Sequence, residues 1–218
     1  MGTPRLRSFR QMNTTLHRSL RLALASLLAV ALAAQLAIGM SRSALTVVRF
    51  FSYFTVLSNA MAVILLVMLA TRPRRDSKTG LALFRGAVTV YMTVTGLVYA
   101  FLIAPVAGDV GVPEPWIDWC IHILGPIALV VDWVTDPPPV RLPVESLWIW
   151  LVFPAVYLGY SLIRGPIVDW YPYPFLDPSG GGYGSVAGWS GVVLVVIVTF
   201  GYASYWWANH RLTAPTTA

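Results

Sequence analysis

The sequence predicts an all-α polytopic membrane protein, a bundle of six transmembrane helices with both termini cytoplasmic. Three observations predict it. The 218 residues are 57% hydrophobic and only 11% charged, against about a quarter charged in a typical soluble domain. Mean hydropathy is +0.68. Apolar runs bounded by charge, proline or glycine recur at 20–40, 51–71, 83–106, 116–135, 145–164 and 187–208, each close to the roughly 20 residues that a spanning helix needs. Little is left for anything else: residues 1–19 form a basic tail, 20–208 the bundle and 209–218 a second tail. Such a composition excludes a water-soluble domain, a disordered chain and, despite a net charge of +6, a nucleic-acid binder.

The first run follows Arg5, Arg7, Arg10, Arg18 and Arg21. It is long enough to span, and no A-x-A cleavage site follows it, so it reads as a retained helix rather than a signal peptide. Runs two and three are separated by Arg72, Arg74, Arg75 and Lys78, and Arg85 lies just inside the third. With Arg141 and Arg211, this puts 12 of the 15 basic residues on one side, leaving Arg42, Arg49 and Arg164 on the other with Asp109, Glu114, Asp169 and Asp177. By the positive-inside rule the first side is cytoplasmic. Run four ends near Asp132 and Asp136 beside Pro137-Pro138-Pro139. Asp132 is expected to be interfacial or to pair with Arg85. The stretch between runs five and six contains Trp170, Tyr171, Tyr173 and Phe175 among prolines and ends in a glycine cluster. It reads as an interfacial aromatic belt or as a lid over a lateral lipid entrance.

Ionisable groups at membrane depth are rare and expensive, which makes each a functional candidate. His122 lies inside run four, about six residues and roughly 9 Å below the outer boundary. Run two opens Phe51-Ser52-Tyr53-Phe54-Thr55-Val56-Leu57-Ser58-Asn59. Ser52, Thr55 and Asn59 share the i, i+3, i+7 stripe of one helix face. Thr55 is then roughly 6 Å deep, in nearly the same layer as His122. A threonine hydroxyl becomes a nucleophile when a neutral imidazole takes its proton. Asp118, four residues before His122, can orient that ring or can be an acid solvated at the span's end. Asn59 can donate to an oxyanion, and with Ser52 and Ser58 it can equally serve helix packing. A competing nucleophile is Ser190, in Gly188-Trp189-Ser190-Gly191, which resembles the GxSG of rhomboid intramembrane proteases. The only buried histidine precedes that serine rather than following it, which opposes the rhomboid reading. No metal or organic cofactor is called for: there is one cysteine, Cys120, with no Cys/His cluster, and a bis-histidine haem would need a second buried histidine.

In order, Tyr53-Phe54-Thr55, buried His122 and Trp170-Tyr171-Pro172-Tyr173-Pro174-Phe175-Leu176 resemble the androgen-induced gene 1 / FAR-17a family of membrane proteins. The likeness is strongest to its bacterial Pr6Pr branch, through the Phe-Ser-Tyr-Phe-Thr-x-x-Ser-Asn start and Asp132-Trp133 followed by Pro137-Pro138. It covers roughly residues 20–208. The resemblance implies a six-helix bundle and a threonine hydrolase acting on fatty-acid-type esters, with Thr55 as nucleophile and His122 as base. Asp118, Asn59 and Ser52 are not part of what it implies. The expectation is thus an intramembrane hydrolase of lipid esters in the cell membrane, its site near the outer leaflet and its partners membrane lipids and a lipid-ester substrate. The alternatives are a non-enzymatic protein that binds lipid or a membrane partner, and a serine hydrolase or protease using Ser190.

Overall fold

A computed structural model describes residues 4–43, 45–72, 78–105 and 114–213, with the side chains of 4–14 and 213 left aside. Arg74, Arg75, Asp109 and the side chains of Arg5, Arg7 and Arg10, which entered the charge count, lie outside what it describes. Among the described residues there is no strand. Six helical segments are long and apolar enough to cross a membrane: Thr15–Ser41, Phe54–Thr71, Thr79–Ile103, Pro115–Thr135, Ser146–Val168 and Gly182–Leu212. The protein is an all-α six-helix membrane bundle.

In chain order, α1 (Pro4–Ser41) is followed by a one-turn helix α2 (Val47–Phe50) and by α3 (Phe54–Thr71). The third span is α4 (Thr79–Val98), prolonged by a π turn at Tyr99–Ile103. The fourth is α5 (Pro115–Trp119), a π turn at Cys120–Leu124 and α6 (Gly125–Thr135), read as one helix. Then come α7 (Ser146–Val168) and α8 (Gly182–Thr213), with a short 3₁₀ turn, Pro174–Leu176, in the loop between them. Residues 42–43, 45–53, 104–105, 114 and 169–181 belong to the loop end of the bundle, and 72, 78 and 136–145 to the termini end.

Helices α3 and α4 form the centre, each with half of its most apolar stretch buried, whereas α1, α7 and α8 keep most of theirs facing outward. That arrangement suits helices whose outer surface meets lipid tails. Close approach depends on small residues: a methyl group on Gly86 would stand 2.1 Å from the Trp150 ring, so α4 and α7 meet only because position 86 has no side chain. The Trp150 indole donates to the Leu83 carbonyl at 2.9 Å in the same contact.

At the termini end, Arg21 from α1 reaches both Asp132 (2.8 Å) and Asp136 (2.7 Å). Arg85 from α4 reaches the other oxygen of Asp132 at 2.7 Å and its carbonyl at 3.1 Å. The pairing of Asp132 with Arg85 is therefore real, and Arg21, read from sequence as the last of the arginines that lead into the first span, is drawn into the same buried cluster. Two cations facing two anions leave no net charge in a region where an unpaired one is costly.

Three of the boundaries that differ from the sequence reading do so for a visible local reason. The second span starts at Phe54, not Phe51, because Phe51-Ser52-Tyr53 closes α2 in a turn and Tyr53 is extended. Ser52 is consequently off the helix and off the Thr55 stripe. The fifth span continues through Pro166 to Val168. The proline forgoes one backbone bond there, and the chain leaves the helix only at Asp169, in the left-handed conformation. The sixth span starts at Gly182, whose φ of +68° suits glycine, so the glycine cluster begins a helix instead of forming a hinge. The aromatic connection is thereby confined to 169–181. It folds back tightly enough that a methyl group on Gly165 would fall 2.0 Å from the Tyr171 ring.

Candidate functional site

Thr55 is the second residue of α3, in the first turn, where backbone N–H groups have no partner within the helix. Tyr53, at the cap position, makes no side-chain bond. The missing acceptor comes from the loop. The Thr55 N–H donates to the Tyr173 hydroxyl at 3.1 Å, and the two hydroxyls share a hydrogen bond at 3.2 Å. Burial pushes the Tyr173 phenol up to about 12, so at neutral pH it is a hydrogen-bond donor and acceptor, not a base. Tyr173 is held in turn by stacking on Phe175 (5.2 Å between centroids) and by the edge of Tyr53 (5.7 Å).

Beside this pair opens a cavity of about 760 Å³, within the range of small-molecule sites. Its walls are α4, α7 and α8, with the start of α3 on one side and Tyr173, Phe175 and Leu176 as its roof. The lining is predominantly aliphatic and aromatic; its hydroxyls are Thr55, Thr95, Tyr157, Tyr173, Tyr183 and Ser190. Thr95 is engaged with Ser58 at 2.9 Å, and Tyr157 donates to the Ser52 carbonyl at 2.9 Å. Ser190 Oγ is buried with no hydrogen-bond partner. Thr55 and Ser190, the two nucleophiles weighed from sequence, thus line the same cavity.

His122 occupies the middle of the π turn in the fourth span. Pro126 explains that turn: it has no N–H for the His122 carbonyl, and the Gly125 N–H reaches back to Cys120 instead. The His122 Nδ1 is 2.7 Å from Asp118 Oδ1, so Nδ1–H is the donor to the carboxylate and Nε2 takes no part in that bond. Tyr99, at the start of the other π turn, stacks on the imidazole at 4.2 Å with a 9° tilt and donates its hydroxyl to the second Asp118 oxygen. Asp118 is 8% exposed and engaged on both oxygens, so it orients the ring and is not an acid solvated at the end of the span.

Asn59 ties the two halves together. Its Nδ2 donates to the Thr55 carbonyl (2.9 Å) and to the Ile121 carbonyl (3.1 Å), which pins α3 against the His122 turn one helical turn below Thr55. Because both amide hydrogens are committed, Asn59 is scaffolding here and not a free oxyanion donor. Ser52 acts on the frame as well. Its hydroxyl donates to the Val48 carbonyl and meets Tyr160 at 2.9 Å, outside the cavity. The two halves are neighbours but are not bonded through their reactive atoms: among the described residues, no hydrogen bond joins Thr55 to His122, and His122 is not part of the cavity wall. No group of His, Cys, Asp and Glu that could hold a metal occurs among the described residues.

Tyr173 and Tyr99 were not singled out as site residues from sequence. Tyr173 looked like belt material among other aromatics, and only the fold brings it across 118 positions to Thr55. No family model matches the chain, and neither a curated protein nor a solved structure matches it.

Proposed function

We propose that the protein is an intramembrane hydrolase of lipid esters, with Thr55 as nucleophile and His122 as base. The observation that carries this reading is the position of Thr55, in the first turn of α3, opening on a 760 Å³ apolar cavity one helical turn above the Asn59 amide, which bonds the Ile121 carbonyl next to His122. The resemblance to the androgen-induced gene 1 / FAR-17a family points to the same two residues. The excess of arginine at the termini end supports cytoplasmic termini and a site near the outer leaflet.

On this reading an acyl chain fills the cavity and its ester carbonyl approaches Thr55. The Thr55 hydroxyl exchanges Tyr173 for His122 Nε2, directly or through one water, as catalytic hydrogen bonds often form only with substrate present. His122 takes the proton as Oγ1 bonds to the carbonyl carbon. The oxyanion forms at the positive end of α3, where the Thr55 N–H and the Tyr173 hydroxyl are the nearest donors. Asp118 stabilises the imidazolium. The tetrahedral intermediate expels the alcohol, which leaves with the proton from His122, and an acyl-threonine remains. Water then gives a proton to His122 and its oxygen to the acyl carbon, the acid departs, and Thr55 recovers its proton.

A second reading is favoured by the missing Thr55–His122 bond: a non-enzymatic lipid-binding protein in which Tyr173 caps α3 and the Asp118–His122–Tyr99 cluster only holds helices together. Labelling by a fluorophosphonate probe separates the readings. The hydrolase reading expects the wild type to label, Ser190→Ala to label, and Thr55→Ala and His122→Ala not to label, with unchanged size-exclusion profiles. Labelling that follows Ser190 makes that residue the nucleophile. No labelling in any variant, in a protein that still binds a fluorescent fatty acid, leaves the binding reading.

A further inference from the structure

Only three basic residues belong to the loop end, Arg42, Arg49 and Arg164. Arg42 is neutralised by Glu114 at 2.7 Å. The other two converge on a single ring: the Arg49 guanidinium lies 5.2 Å from the Trp170 centroid and that of Arg164 5.4 Å from it. Neither forms an ion pair with a described carboxylate, although Asp169 and Asp177 belong to the same loop. Arg49 sits on the one-turn helix α2, where its N–H bonds the Thr46 cap at 3.2 Å, and Arg164 is in the last turn but one of α7, two residues beyond cavity-lining Leu162.

Two like charges gathered on one indole repel each other, and the ring's attraction offsets only part of that. An anion between them completes the arrangement, since guanidinium groups are matched to carboxylate and phosphate oxygens. The neighbouring contacts lead to the cavity: Trp170 meets the edge of Tyr53 at 5.7 Å, and Tyr53 meets Tyr173 at 5.7 Å, whose hydroxyl is on Thr55. A cationic clasp therefore stands a few side chains from the threonine, at the same end as the cavity roof.

We propose that the cavity takes an anionic amphiphile, whose carboxylate or phosphate head is held by Arg49 and Arg164 while its chain occupies the space beside Thr55. This deepens the lipid-ester reading by making a negative head group part of the substrate class, and the clasp itself does not depend on turnover. The test is binding, so that it can succeed whether or not Thr55 reacts. Wild-type protein in phosphatidylcholine nanodiscs is titrated with a long-chain fatty acid bearing a terminal fluorophore, at a pH where its carboxyl is ionised, and with the methyl ester of the same acid. The acid is expected to bind about tenfold more tightly than the ester. In Arg49→Gln/Arg164→Gln this preference disappears, and in Arg49→Lys/Arg164→Lys, which keeps the charge, most of it returns. Ala187→Trp, which fills the cavity, weakens both ligands. Binding is read without any step at Thr55, so a failed hydrolase reading and a failed clasp are distinguishable.

Equal affinity for acid and ester in the wild type overturns the proposal, as does a preference that survives in the glutamine variant. A preference that phosphatidylglycerol in the nanodisc competes away supports the clasp and makes a bilayer phosphate, not a free acid, the source of its anion.

Discussion

At the termini end of the bundle, Arg21, Arg85, Asp132 and Asp136 meet at 2.7–2.8 Å and consume one another's charge. At the loop end the polar groups are only partly consumed: Ser190 Oγ is buried without a partner, the His122 ring is bonded through Nδ1, and two arginines share the Trp170 indole while forming no ion pair with a described carboxylate. Both ends place costly groups at membrane depth. The first cluster has no wall in the cavity and ties α1, α4 and α6 together. The second surrounds a space that a ligand can fill. Burial of polar groups alone does not mark a working site; the informative difference is which groups are left with unused valence next to a cavity.

The sharpest way to break that comparison is to make the same kind of change at each end. Asp118→Asn keeps size and shape but no longer holds the imidazole with Nε2 as the lone pair. Under the hydrolase reading it lowers the rate of esterase turnover or probe labelling roughly 10³–10⁴-fold, as loss of the orienting carboxylate does in a catalytic triad, with little change in unfolding temperature or in binding of the acid. A variant that labels within a few-fold of wild type would move Asp118 to a structural role and take the base assignment of His122 with it.

Asp132→Ala is the counterpart. It leaves Arg21 facing only Asp136 and strips Arg85 of its carboxylate, so two guanidinium groups must stay buried with one partner between them. Destabilisation of about 3–5 kcal/mol is expected, the range for breaking a buried pair from one side. It is read from thermal or denaturant unfolding in detergent, while the labelling rate per folded molecule stays near that of wild type. If labelling of the folded fraction collapses as well, the two ends are coupled and the division drawn here is wrong.

Much of this was legible in the chain. Hydropathy alone gives the six spans, because a helix that crosses lipid must be apolar over a nearly fixed length. Counting residues inward from Phe51 puts Thr55 and His122 in one layer; with the span starting at Phe54, the Asn59 bond to the Ile121 carbonyl instead sets the His122 turn about one helical turn below Thr55. What could not be read depends on contacts between distant residues. Nothing local distinguishes Tyr173 from Tyr171, yet one hydroxyl caps α3 and the other ring packs on Gly165. Pro166, two residues past the end of the fifth apolar run, is tolerated within α7. Arg21 reads as one more orienting charge at the head of the first span, and only the fold brings it to Asp132 and Asp136. Ser52 lost its place on the Thr55 stripe to a turn of three residues.

Tyr173→Phe tests the smallest of these effects and the one that bears most directly on how the loop end works. Losing the hydroxyl removes an acceptor for the Thr55 N–H and a partner for Oγ1 while keeping the ring between Tyr53 and Phe175. Net loss of such bonds costs about 0.5–1.5 kcal/mol each, so unfolding should shift only slightly. The kinetic effect discriminates better. If Tyr173 occupies the Thr55 hydroxyl at rest and must yield to His122, its removal frees the nucleophile, and fluorophosphonate labelling of Thr55 rises about three- to tenfold. If its main contribution is to donate to the oxyanion, labelling falls instead, by up to 10²–10³-fold. The sign of that change decides whether the loop restrains the threonine or completes the oxyanion site.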